Sequence, residues 1–223
     1  ILGWLGARQA SRQALACHLW VHFTKHVTVS WADYEMDVMR KLIALFEPPE
    51  ERVYTAARSA LEACVQTIPK EHWGALVVPL RRALESTGAP SSHLPGLCQP
   101  RGASPFVPVL LHGLLQGTAE QREQGALGLA DLAEKTSADA IKPFITAMVG
   151  PLIRLCGDRH APPVKISIVT SLDTLVRSVP MLVRPFYPQL QRSFQKALSD
   201  TGSGTVRMKA AHALGFLMGL QTR

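Results

Sequence analysis

Apolar residues recur along this chain at helical spacing. Val164, Ile168, Leu172, Leu175 and Val176 step by 4, 4, 3 and 1, which lays them on one stripe of an α-helix. The same steps return 42 residues later at Val206, Ala210, Leu214, Leu217 and Met218, all apolar. They are found upstream at Val53, Ala57, Leu61, Cys64 and Val65, and in part at Leu129, Leu132 and Ala133, with a register of 43. No segment sustains the alternation of a strand. The pattern predicts helices over 5–26, 31–46, 50–68, 70–86, 105–116, 119–135, 138–157, 163–179, 182–199 and 205–220, the seventh broken near Gly150-Pro151.

The segments between the stripes repeat at the same distance. "KPFITAMVGPLIRLCGD" (142–158) and "RPFYPQLQRSFQKALSD" (184–200) share a basic-Pro-Phe opening and a final Asp. A chemical site is seldom written twice, whereas a building unit is. Two helices in a unit of this length match the roughly 40–47 residues of a HEAT or armadillo repeat. The expected fold is therefore all-α, a HEAT-repeat solenoid of about five stacked antiparallel helix pairs.

The division expected is 1–86 as N-terminal HEAT-like helices, 87–104 as a connecting loop and 105–223 as three regular repeats. All three form one continuous solenoid, and the start at Ile1 inside a helix reads as a piece of a longer protein. The loop, "TGAPSSHLPGLCQPRGAS", stands where a second helix should follow 70–86. Leu94, Leu97 and Cys98 would lay it on the solenoid. Pro143, Pro185 and Pro188 should kink the first helix of their repeats, since proline lacks a backbone donor. Asp158 and Asp200 close those helices, and Lys165 and Arg207 come early in the next ones. These four are read as a structural ladder along the stack.

Composition narrows the function more than it defines it. Apolar residues make up 47% and charged residues 18%, which is globular. No apolar run approaches the ~18 residues of a membrane span. Cys17, Cys64, Cys98 and Cys156 are far apart with no CxxC pair, which fits a reducing compartment and argues against zinc or a disulfide framework. His18, His22 and His26 share one helix face, yet Leu15, Leu19 and Phe23 beside them mark it as a packing border rather than a metal edge.

"TGSG" at 201–204 lacks the preceding strand of a phosphate loop, and no nucleophile elbow is present. No catalytic set, cofactor, metal or small-molecule substrate is expected. The net charge of +7 leaves room for an acidic partner. Arg154 has a repeat counterpart in Lys196, while Arg159 falls on Thr201, so the repeat does not require it. An arginine in the turn between paired helices projects from the solenoid edge, where it can fork onto a carboxylate.

"TSADAIKPFITAMVGPLIRLCGDR", "LVRPFYPQLQRSFQKALSD" and "VRMKAAHALGFL" resemble the C-terminal region of the general control non-derepressible family. The resemblance spans 104–220. The loop string "HLPGLCQPRG" is similar too, whereas 1–86 resembles the family only in helical pattern, best at "ADYEMDVMRKLIALFE". It implies a non-enzymatic cytoplasmic scaffold that rides on ribosomes. Such a scaffold holds the RWD domain of the initiation factor 2-alpha kinase that senses amino-acid starvation. It also implies an arginine at the kinase contact, carried here to Arg154 or Arg159. Two other readings stand beside it. One is a karyopherin-like carrier, which would present acidic inner helices where this chain has Lys165, Arg177, Arg207 and Lys209. The other is direct binding of ribosome or RNA by the solenoid itself.

Overall fold

A computed structural model of the chain describes residues 1–26, 34–89, 92–157 and 160–221. Among these, every regular element is helical. The helices are α1 Leu2–Leu5, α2 Ala10–His26, α3 Glu35–Ala44, α4 Glu51–Thr67, α5 Trp73–Ser86, α6 Val107–Gln116 and α7 Ala119–Lys135. They continue as α8 Ala138–Ile141, α9 Ile145–Cys156, α10 Pro162–Ser178, α11 Pro180–Val183, α12 Tyr187–Leu198 and α13 Gly204–Gln221. The chain is an α-solenoid. In one layer α7 packs on α10 and α10 on α13; in the other α6, α9 and α12 follow one another, each against its partner in the first layer. At the N-terminal end α2 packs on α4, α1 on α2, and α3 on both α4 and α5.

The second helix of each repeat follows the predicted stripes. Val164, Ile168, Leu172, Leu175 and Val176 are all buried, as are Val53, Ala57, Leu61, Cys64 and Val65. On α13 the stripe is less complete, with Leu214 half-buried and Met218 41% exposed. The reason is positional, because α13 packs on α10 and α12 and no described helix lies on its far flank.

Three expected boundaries differ. The helix expected from residue 5 is split into α1 and α2 by the turn at Gly6. The break expected at Gly150-Pro151 is absent, and α9 runs through Pro151 to Cys156. The donor lost at Pro151 would have met the carbonyl of Ala147, which sits on the exposed side where water can replace it. The interruption falls earlier instead, in the 3-10 turns Lys142–Phe144 and Arg184–Phe186 around Pro143 and Pro185. Pro188 stands in the first turn of α12, where its missing N–H costs nothing.

The predicted packing of α2 is also rotated. Leu15 and Leu19 are exposed at 49% and 40%, and Ala16, Cys17 and Trp20 face the core. The helix is apolar on several sides, so the stripe that packs could not be read from spacing alone. His18, His22 and His26 therefore lie on the exposed face rather than at a packing border.

The 87–104 connection is tied down at both ends of the gap that it spans. On the α4 side, the Arg58 Nη1 donates to the Pro100 carbonyl at 2.8 Å and the Ser104 hydroxyl donates to the Glu62 carboxylate. On the α7 side, the Leu94 N–H donates to the Lys135 carbonyl at 2.9 Å. The buried Lys135 ammonium donates to the carbonyls of Thr87 at 2.6 Å and Glu85 at 3.3 Å, at the C-terminus of α5. Leu94, Leu97 and Ala103 are buried between these anchors. The segment thus lies between α4 and the end of α7, the place of a second-layer helix.

Candidate functional site

Where α9 ends and α10 begins, and again where α12 ends and α13 begins, the chain turns along one edge of the solenoid. A cleft of about 490 Å³ opens there, lined by Gly157, Lys165, Lys196 and Asp200. Among the described residues, three cations along this edge are committed to the chain itself. The Lys165 Nζ donates to the Asp200 Oδ2 at 2.6 Å, from the first turn of α10 to the turn of the following repeat. The Lys196 Nζ donates to the Gly157 carbonyl at 2.9 Å, in the opposite direction between the same repeats. The Arg207 Nη1 donates to the Asp200 carbonyl at 2.8 Å.

Asp200 is the hub of this edge. Its Oδ1 accepts the backbone N–H groups of Gly202 and Ser203, both at 2.9 Å. The Lys165 hydrogen bond, aided by those two N–H donors, holds the Asp200 carboxyl below the usual aspartate range. A depressed folded-state pKa contributes stability above the unfolded-state value of about 3.9, and that stability is lost as pH falls through the folded-state value. The melting-temperature difference between the wild type and Asp200→Asn is therefore expected to be widest near neutrality and to narrow below about pH 4. Thermal scans across that range check it; a gap independent of pH would show that the carboxylate charge plays no part.

Arg154 sits in the last turn of α9 and is exposed. Among the described residues its guanidinium makes no hydrogen bond or ion pair. Lysine or arginine near a helix C-terminus is favoured by the macrodipole, but this does not consume the five N–H donors of the fork. The structure thus brings Lys165, Asp200 and Arg207 into one network with Lys196 beside it and leaves Arg154 uncommitted. Asp158 and Arg159 lie outside the described residues. Nothing in the sequence signals the Lys196 bond: the 42-residue offset pairs Lys196 with Arg154, whereas its acceptor is Gly157, 39 positions away.

Burial pushes the thiols of Cys17 and Cys64 up to about 12 and that of Cys156 to about 11, so they stay protonated and weakly nucleophilic at neutral pH. The rings of His22 and His26 stack at 5.2 Å, and no group of three His, Cys, Asp or Glu among the described residues could hold a metal. No single helix among the described residues is long and apolar enough to cross a membrane.

A family of HEAT repeats described as "Stalled ribosome sensor GCN1-like" matches residues 1–101. The N-terminal part, where only a helical pattern was read, therefore carries the family signature as well. The chain is 38% identical over 181 residues to the "eIF-2-alpha kinase activator GCN1" of Saccharomyces cerevisiae, covering 81% of this chain and 7% of the yeast protein. It is 37% identical over 218 residues to the "Stalled ribosome sensor GCN1" of Mus musculus, covering 95% of this chain and 8% of that protein. The chain thus spans less than a tenth of the length of either relative. Among solved structures it resembles a designed armadillo repeat protein, with a TM-score of 0.52 and 13% identity over 97% of this chain and 98% of that one; this likeness concerns the fold alone.

Proposed function

This chain belongs to the GCN1 family of HEAT-repeat proteins, and from that premise we propose that it is a non-enzymatic binding scaffold in the activation of an initiation factor 2-alpha kinase on ribosomes. Its task is to hold the RWD domain of that kinase at the turn edge, through Arg154 or Arg159. The observation that carries this reading is the division of labour among the cations. Lys165 and Lys196 join one repeat to the next, Arg207 closes on the turn of its own repeat, and Arg154 is exposed beside them with a guanidinium that bonds to no described residue. A fork of that kind pairs bidentately with a carboxylate on a partner, and its neighbours keep the local potential positive. Recognition of a folded acidic domain needs no reacting group, in keeping with the protonated thiols. The proposed place of action is the cytoplasm, with ribosome contact made by the full-length protein.

Calorimetric titration of this chain with the purified RWD domain tests the reading, at low and at physiological salt. Saturable binding is expected, weakened by at least about tenfold in Arg154→Glu or Arg159→Glu, or in both, since charge reversal turns an attractive pair into a repulsive one. Far-UV circular dichroism of the variants checks that they keep the wild-type fold, as expected for Arg154, which is exposed and makes no side-chain hydrogen bond or ion pair with a described residue. An RWD domain that does not bind the wild type would sink the proposal. Binding of ribosomal RNA instead, weakening steeply with salt, would assign the edge to nucleic acid.

A further inference from the structure

Arg81 and Arg82 are neighbours in sequence but point about 100° apart on their helix, and the structure gives them opposite roles. Arg81 turns inward, its Nε donating to Asp131 at 3.0 Å and its Nη1 to Gln124 at 2.8 Å. Arg82 turns outward, is exposed, and makes no hydrogen bond or ion pair with any described residue. It stands on the rim of a cleft of about 460 Å³ between α3 and α5. Met36, Pro79 and Ala83 supply apolar lining, and Arg40 and Asp37 stand on the α3 side.

The cations in this cleft are not neutralised. Asp37 is shared between Arg40 and Lys41, the latter outside the cleft lining, accepting from the Arg40 Nη2 at 2.7 Å and from the Lys41 Nζ at 2.9 Å. Arg40 keeps its other donors, and its side chain is 70% exposed. Arg82 keeps all of its donors. Proline offers a rigid apolar surface with no N–H to desolvate, and methionine adapts to an incoming side chain. The volume suits a few residues of peptide rather than a folded domain. None of the described residues lining the cleft is aromatic, and its paired apolar and cationic surfaces favour a peptide over a stacked base.

We propose that the cleft between α3 and α5 is a docking site for an acidic linear segment of a partner protein. One aliphatic side chain of the segment seats on Met36, Pro79 and Ala83, and its flanking carboxylates pair with Arg82 and Arg40. The site is separate from the turn edge of Arg154 and does not depend on its function.

Fluorescence anisotropy with a fluorescein-labelled synthetic peptide, one leucine flanked by glutamates in a glycine-serine background, tests the proposal. Saturable binding to the whole chain is expected. It should fall by at least about tenfold in Arg82→Glu, and equally when the peptide's glutamates become glutamines. Leucine-to-glycine in the peptide, or Met36→Ala in the protein, should weaken it as well, while Arg154→Glu should leave it unchanged. Arg82 is exposed and bonded to nothing, so its variants keep the fold, and circular dichroism checks this. The proposal is overturned by a peptide that does not bind, by affinity indifferent to Arg82→Glu or to the glutamine peptide, or by an oligouridylate that outcompetes the peptide through Arg82.

Discussion

Leu172→Ala is expected to destabilise the solenoid by about 2–5 kcal/mol, the range for removing a fully enclosed leucine and leaving its cavity behind. Leu172 has no exposed surface and lies in the middle of α10, a helix packed on both α7 and α13. The residue 42 positions on, Leu214, has the same place in its repeat but is only half-buried. Its surroundings can relax and water already reaches it, so Leu214→Ala should cost distinctly less. Thermal unfolding followed by circular dichroism compares them directly. Equal shifts at the two positions would contradict the packing described for α13, and a negligible shift at Leu172 would break the repeat register itself.

Gly125→Ala is expected to destabilise although alanine is the better helix former by about 1 kcal/mol. Gly125 sits on α7 where α6 crosses it. A methyl group there would come within 2.7 Å of the Leu110 carbonyl oxygen and 2.8 Å of the Leu114 nitrogen. Both are backbone atoms, so relief requires moving α6 as a body, and the net loss should reach about 1–3 kcal/mol. Gly150→Ala is the counterpart without such a clash. Beyond its chain neighbours and its own helix backbone nothing lies within 4 Å of that methyl position, but a Cβ before Pro151 disfavours the helical backbone that α9 keeps there, so the gain in helix propensity is offset and a change of less than about 1 kcal/mol is expected. Urea unfolding midpoints of both variants decide the matter: stabilisation at Gly125 would mean that α6 and α7 do not approach so closely.

The two glycines show where reading the chain linearly stops. Each interrupts a helical pattern, and the Gly150-Pro151 pair looked like the stronger breaker. The three-dimensional fold reverses their importance, because Ala147 opposite Pro151 faces solvent, whereas Gly125 faces another backbone. The same limit applies to α2. Its apolar residues surround the helix, so the choice between Leu15-Leu19 and Cys17-Trp20 as the buried side was made by α4, which packs against it. At the turn edge, the offset of 42 brought out Arg154 with Lys196 and Lys165 with Arg207 as register pairs. It could not tell which members spend their charge within the stack.

Periodicity alone was enough for the all-α solenoid, since a 3.6-residue stripe repeated every 42 residues has one economical way to bury itself, by stacking on its own copies. The identity of the family was likewise legible in strings such as that around Gly157. Tertiary structure decided the rest: that Lys165 reaches the next repeat's Asp200, that Lys135 is buried beneath the 87–104 connection, and that Arg81 turns in while Arg82 turns out. The physical reason is one of range. Helical pattern is a local property of the chain, whereas the availability of a charge for a partner depends on hydrogen-bond donors and acceptors brought together from residues 35 to 50 positions away.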